Sequence, residues 1–345
     1  AHSKQQAHMT LEAGVKYMVL SGVSSSFLLF GVALIYAYAG NLNIDLVVSA
    51  DGPRLHSGYL EIGAALLLVG VAFKMSWMPF HMWTPDVYQG APAPVTSFLA
   101  SAVKVAVFAF AMRWLMMAQG DYLTLLLLGL TIMAALSMVV GNLLALRQDN
   151  LKRLLGYSSI AHMGYVIITL AATATLGPDS ISTALEGAAV YLITYASMTM
   201  LAFAVISQLA SKDRRFESGT LIHYSGLLFQ QPWLASALIL AMLALAGMPL
   251  TAGFIGKYYL VLVAIESELW LLLSLLILGS ALGLYYYLRV ILVLCKTTVD
   301  DQPIDHGIMV FSGGEKLLLL LLVLATLWLG IYPTPVIEWV QLAIA

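Results

Sequence analysis

Charge is what this sequence has least of. Only 10% of its 345 residues are Asp, Glu, Lys or Arg, against roughly 25% in a soluble globular chain, which excludes a soluble enzyme. A net charge of −2 with no basic stripe excludes a nucleic-acid binder. The single cysteine, Cys295, excludes a disulfide scaffold and cannot hold an iron–sulfur cluster. Walker loops, dinucleotide fingerprints and metal-spaced His-Glu motifs are also missing, so the chain carries no visible means for redox or hydrolytic chemistry of its own.

Apolar sequence, by contrast, is abundant. Hydrophobic residues make up 61% of the chain, and charge-free windows run over 17–44, 122–146, 154–178, 187–211, 218–256, 269–288 and 317–337. Each exceeds the roughly 18 residues that a helix needs to cross a bilayer. The windows are apolar all round, whereas the strands of an outer-membrane barrel alternate over segments of about ten residues, so a barrel is excluded as well.

Two further spans follow if one intramembrane lysine is allowed in each, Lys74 and Lys104. The expectation is an all-α, polytopic membrane protein of about nine helices, near 14–39, 60–83, 94–118, 122–146, 153–176, 185–210, 233–265, 269–295 and 315–335. Breakers mark the connections at 41–53, 85–94, 177–178 and 303–314. Alternating the loops puts Lys4, Arg147, Lys152, Arg153, Lys212, Arg214, Arg215, Lys296 and Lys316 on the side of the N-terminus and only Arg54 and Arg113 on the other. That asymmetry makes the N-terminal side cytoplasmic and the C-terminus periplasmic. The chain opens Ala-His-Ser-Lys-Gln-Gln, with neither an initiator Met nor a signal sequence, and is expected to be N-terminally incomplete.

Of eleven prolines, only Pro79 and Pro249 fall well inside expected spans. Each removes a backbone donor and crowds the carbonyl four residues back, so both helices should break there. Broken backbone survives at membrane depth only where protein or trapped water satisfies it. Both interrupted helices carry a lysine, Lys74 and Lys257, and they run in opposite directions. Such a pair is the pointer to an inverted-repeat transporter with its polar site at the breaks.

Lys74 lies about 13 residues into its span, roughly 20 Å at 1.5 Å per residue, too deep for its side chain to reach an interface. Lys104 is similarly central. An ammonium at that depth costs roughly 2.5–3.5 kcal/mol on insertion scales, which favours a function in a polar cavity. Lys257 could slide and snorkel, and Lys16 sits close enough to the helix end to do so. None of the eighteen acids is central. The deep lysines are therefore either partly neutral or paired by a carboxylate from a missing helix or a neighbouring subunit, and both readings suit a proton relay. His81 and His162 are relay candidates against a plain structural alternative, hydrogen bonding in a polar interior. Tyr157-Ser158-Ser159, Tyr165, Tyr191, Tyr195 and Tyr285-Tyr286-Tyr287 serve either as interhelical hydrogen bonds and interfacial anchors or as a hydrated track between the lysines.

The run Phe73-Lys74-Met75-Ser76-Trp77-Met78-Pro79-Phe80-His81-Met82-Trp83-Thr84-Pro85-Asp86-Val87-Tyr88-Gln89-Gly90-Ala91-Pro92 resembles the antiporter-like, proton-conducting subunits of respiratory complex I and the related multisubunit cation/proton antiporters. Val87-Tyr88-Gln89-Gly90-Ala91-Pro92-Ala93-Pro94, followed by Ser101-Ala102-Val103-Lys104, is similar to the subunit N branch of bacterial NADH:quinone oxidoreductase. So are 150–162, from Asn150 to His162, and Gly247-Met248-Pro249 through Gly253-Phe254-Ile255-Gly256-Lys257. The likeness runs from about Leu11 to the C-terminus.

The resemblance implies a fourteen-helix subunit with two inverted five-helix repeats, each with a broken helix. This chain would supply the sixth to fourteenth helices as a single membrane domain. About 11–118 would be the remainder of the first repeat, about 122–295 the second, and about 315–335 a C-terminal helix. It implies a membrane-embedded proton path through Lys74, Lys104 and Lys257 with help from His81 and His162, and helix breaks at Pro79 and Pro249. A glutamate on the family's fifth helix, outside this sequence, would pair with Lys74. The activity implied is that of a translocase subunit of NADH:quinone oxidoreductase in the bacterial inner membrane, with no redox active site on this chain. No cofactor would be bound here; NAD, FMN, iron–sulfur clusters and quinone would sit elsewhere in the complex. The partners would be other membrane-arm subunits and the lipid bilayer, with no nucleic acid. The alternative is a subunit of a stand-alone cation/proton antiporter, and a further one a membrane scaffold whose lysines only bind lipid or neighbouring subunits.

Overall fold

A computed structural model describes residues 2–41, 58–116, 121–175, 181–213, 215–296 and 312–344. The sequence elements become helices because a chain this apolar must satisfy its backbone polar groups within each segment. In order they are α1 (His2–Ala39), α2 (Gly58–Met75), α3 (Trp83–Gly90), α4 (Ala93–Ala100), α5 (Ala102–Met116), α6 (Asp121–Leu146), α7 (Leu151–Thr175), α8 (Ile181–Lys212), α9 (Leu227–Gln230), α10 (Pro232–Ala246), α11 (Ala252–Glu266), α12 (Trp270–Cys295), α13 (Gly313–Ile331) and α14 (Thr334–Ile344). Two 3₁₀ turns, Phe216–Ser218 and Leu221–Tyr224, fill the connection before α9.

Among the described residues, eight helical stretches are long and apolar enough to cross a membrane, α4 and α5 counting as one, and α10 with α11 forms a broken ninth. This agrees with the all-α, polytopic reading and with both expected interruptions. The structure departs from the expected boundaries in four places. Helix α1 begins at His2 rather than near 14. The 60–83 span does not end at Pro85: after a break over 76–82 it resumes as α3 and runs to Gly90. Pro85 sits in the first turn of α3, where its missing N–H has no helical partner to lose. The 94–118 span is interrupted at Ser101, whose hydroxyl donates back to the Ser97 carbonyl at 2.6 Å. The last span stops at Ile331, before Pro333, and an unanticipated helix, α14, follows. At its start, Ser312 and Glu315 form a reciprocal capping box that sets where α13 begins.

The core lies around α7, which packs against α3, α5, α6, α8, α11 and α12 and is almost wholly buried. Helix α6 can approach it so closely because of glycine: a Cβ at Gly164 would lie 2.9 Å from Ser137 Cβ, and one at Gly141 would lie 2.8 Å from the Ala161 nitrogen. Helices α1 and α2 pair beside this core.

Polar side chains collect at one end of the bundle. Asp86, at the start of α3, receives Lys16 of α1 at 2.8 Å and Arg153 of α7 at 2.6 Å. Lys16 also pairs with Glu12 at 2.7 Å, so it is engaged in ion pairs rather than merely stretched toward solvent. Arg289 bonds to Asp149 and to the Leu146 carbonyl, and Lys212 lies 3.8 Å from Glu315. Burial by itself would push the Asp86 carboxyl up; its bonds to Lys16 and Arg153 outweigh that and hold it below the ordinary 3.8.

Candidate functional site

Helix α7 presents Ser159, His162 and Tyr165 at three-residue spacing, which places them along one side of the helix. Each meets a polar group from a neighbouring helix. Lys104 of α5 is fully buried and donates to the Ser159 hydroxyl at 2.5 Å, with its Nζ 5.9 Å from the Tyr88 ring centre. Ser159 Oγ lies 2.6 Å from the Tyr195 hydroxyl of α8 and 3.4 Å from that of Tyr88 of α3.

One turn further along, His162 contacts two phenols with its two ring nitrogens: Nδ1 lies 2.7 Å from the Tyr191 hydroxyl and Nε2 3.3 Å from that of Tyr287. The Tyr195 ring bridges the two clusters, its centre 5.4 Å from that of His162. Tyr165 stands edge-on to His162 at 5.5 Å. Its hydroxyl accepts from Asn142 Nδ2 at 2.9 Å, while Asn142 Oδ1 accepts from Tyr286 at 3.0 Å. The ring of Tyr165 in turn lies 6.0 Å from Lys257 Nζ.

Lys257 is buried, and the helix break holds it there. Gly247 adopts a left-handed φ of 85° and ends α10, and Lys257 Nζ donates to the carbonyls left over, Ala246 O at 2.7 Å and Leu245 O at 3.3 Å. Carbonyls in the last turn of a helix lack an intrahelical donor, and an ammonium satisfies them well. A side chain at position 247 would meet Lys257: a Cβ there would come within 2.8 Å of Cδ and 3.1 Å of Nζ.

The break around Pro79 is closed differently. Trp83 Nε1 donates to the Phe73 carbonyl at 2.9 Å, the Met78 N–H to Ser137 Oγ at 2.9 Å, and the Trp77 indole to the Met163 carbonyl at 3.0 Å. Ser76, at a left-handed φ of 63°, accepts from Thr84 at 2.7 Å. Lys74 takes no part in this; it is half-buried and makes no hydrogen bond or ion pair with a described residue. His81 lies in the gap, half-buried, its Nδ1 3.3 Å from the Pro79 carbonyl.

Of the residues singled out from sequence, the structure therefore gathers Lys104, His162 and Lys257 around one buried string, and Lys74 and His81 make no hydrogen bond to it. Sequence reading missed Tyr88, Ser137 and Asn142. Tyr88 fell in a stretch taken for a loop. Asn142 and Ser137 carried a usable signal, since both are polar groups in a charge-free span that needs interior partners. The phenols were noticed, but not which way each would face.

Residues 1–283 match the family model described as "NADH:quinone oxidoreductase/Mrp antiporter, TM". NADH-quinone oxidoreductase subunit N of Ectopseudomonas mendocina is 46% identical over 342 residues, covering 96% of this chain and 66% of the relative. The protein of that name from Chromohalobacter salexigens is 44% identical over 337 residues, with 97% and 69% covered. The chain thus spans about two thirds of the length of the curated relatives it matches. A chain of respiratory complex I from Thermus thermophilus superposes with a TM-score of 0.75 at 35% identity, over 95% of this chain and 68% of that one. With these matches, and a fold built around two interrupted helices, the chain belongs to the NADH:quinone oxidoreductase/Mrp antiporter membrane family, in its subunit N branch.

Proposed function

We propose that the chain works as a proton-translocating membrane-arm subunit of NADH:quinone oxidoreductase, passing protons along the buried string between Lys104 and Lys257. The observation that carries this reading is the succession of ionisable and hydroxyl groups with no intervening carboxylate: Lys104, Ser159, Tyr195, His162 with Tyr191 and Tyr287, then Tyr165 and Lys257. Hydroxyls both give and accept protons, and imidazole exchanges them near neutral pH, so the hydrogen-bonded pieces Lys104–Ser159–Tyr195 and Tyr191–His162–Tyr287 can each hand a proton on. Water would have to complete the path across the ring contacts that join them to each other and to Lys257. Two ammonium groups at its ends repel a further positive charge, and a charge arriving beside one of them eases proton loss from it.

On this reading quinone reduction by NADH takes place on other subunits, which hold NAD, FMN, iron–sulfur clusters and quinone; one cysteine in the whole chain supports the absence of a cluster here. The end bearing Lys16, Asp86 and Arg153 faces the cytoplasm, supported by the excess of basic loops on that side. The two breaks, around Pro79 and Pro249, mark equivalent points of two repeats covering about 11–118 and 122–295, and 315–335 follows them. Lys74 and His81, both half-buried and outside the string, are the groups through which a charge from outside this chain would act on it, and neighbouring membrane-arm subunits are the partners that would bring it. The subunit N names of the relatives favour this reading over a stand-alone cation/proton antiporter.

The test uses the complete assembly in sealed vesicles. Lys104→Met and His162→Phe should leave NADH oxidation by an artificial acceptor intact while lowering quinone-coupled proton uptake. Proton uptake at the wild-type level in both variants would remove the string from the mechanism, and sodium-dependent transport without NADH would favour the antiporter.

A further inference from the structure

Between α5, α8 and the end of α14 lies a groove of about 450 Å³ that is apolar over almost its whole lining. Val105, Phe108 and Met112 form one wall, Leu192 another, and Ile344 closes part of the mouth; the one charged lining residue is Arg113. Both long walls belong to helices able to cross a membrane, so the groove runs at membrane depth, and its apolar lining suits hydrocarbon rather than water. Arg113 is exposed and sits in the last turn of α5, at the end of its span, where headgroups begin. From Arg113 to Val105 is about 12 Å along the helix at 1.5 Å per residue. The inner end of the groove therefore lies level with Lys104, which shares one side of α5 with the groove-lining Phe108 four residues on.

We propose that this groove is a binding site for a glycerophospholipid, with one acyl chain lying between α5 and α8 and the phosphate held by Arg113. The volume falls within the roughly 300–1,000 Å³ of small-molecule sites. A guanidinium matches phosphate oxygens in a two-pronged geometry that a neighbouring apolar helix could not offer. Glu186, the carboxylate at this end of α8, does not line the groove and instead accepts from Gln341 at 3.1 Å, which leaves the guanidinium available to an anion. An acyl chain seated here braces α5 against α8, at the level of Lys104, whose own side chain turns to Ser159 of α7.

Native mass spectrometry of the full chain, from micelles containing either dioleoylphosphatidylglycerol or phosphate-free dioleoylglycerol, reads the site directly. The wild type should retain phosphatidylglycerol. Ala109→Trp, which places a ring in the groove from an exposed position, should abolish retention. Arg113→Gln should weaken it on the order of tenfold, the loss of one charge-assisted bond, and dioleoylglycerol should be held no better than phosphatidylglycerol is by that variant. Equal retention by the wild type and both variants, or equal retention of both lipids by the wild type, would overturn the proposal. So would disulfide capture of a neighbouring subunit by Ala109→Cys in the intact assembly, because a protein segment would then occupy the groove.

Discussion

The two broken helices solve one problem by opposite means. Around Pro79 the loose backbone groups are taken up by neutral side chains, those of Trp77, Trp83 and Ser137, and the nearby ammonium of Lys74 is left over. Around Pro249 the ammonium of Lys257 is itself the closure, bonded to the two carbonyls that α10 leaves behind. A lysine near a break is thus not automatically part of it. Where it is, moving its proton alters the hydrogen bonds that hold the break in shape, so charge and backbone are tied together at Lys257 and free of one another at Lys74.

The sharpest way to break this contrast is to remove both charges and measure stability in detergent by denaturant titration. Lys257→Met should cost about 3 kcal/mol, because two buried carbonyls lose their donor at roughly 1–3 kcal/mol each. Lys74→Met should stay within about 0.5 kcal/mol, as for a change that breaks no contact; equal losses would show that the two breaks are built alike. A smaller effect is expected from Gly247→Ala, about 1–2 kcal/mol for a side chain held at left-handed φ, with Lys257 displaced by the new methyl group. Solvent accessibility of a cysteine-reactive probe at Ala246→Cys, compared with and without the glycine change, would register that displacement. Smaller still, Ser137→Ala should cost about 1 kcal/mol by leaving the Met78 N–H without its acceptor, and the same titration would detect it.

Acid offers the mildest perturbation. The folded Asp86 carboxyl titrates below its ordinary 3.8. Its contribution to stability is therefore complete above that value and is lost as pH falls through the lower folded one. An acid titration of the wild type should show this loss, and Asp86→Asn should show a flatter profile, already weaker at neutral pH.

Much of the architecture was legible because it rests on length and apolarity. The nine spans and both interruptions followed from apolar runs, two of them read through a single lysine, and from two prolines, whereas Lys257 was left free to slide toward an interface and is found buried. Other features were hidden because single residues carry two meanings. Pro85 was read as a stop, yet it occupies a helix's first turn, so α3 and its Tyr88 were overlooked. The phenols at 191, 195 and 287 announced polar interiors, but a helix that is apolar on all sides gives no periodic sign of which face meets which neighbour. Lys74 and Lys257 each share an interrupted helix with a proline, and sequence favoured Lys74 as the deeper of the two; the placement of α10 against α11 is what makes Lys257 the one bonded to the break.

Helix α7 is at once the least apolar of the eight candidate spans and the most enclosed. Its serines and histidine would make it a reluctant passenger if it left the translocon alone, since the lipid would offer those groups nothing. A hairpin with α6, which Gly141 and Gly164 let close tightly, would shelter part of that surface, and α8 and α12 cover the hydroxyls that remain. The polar stripe proposed above as a proton path thus also favours an order of assembly in which its neighbours are close at hand when it leaves the translocon.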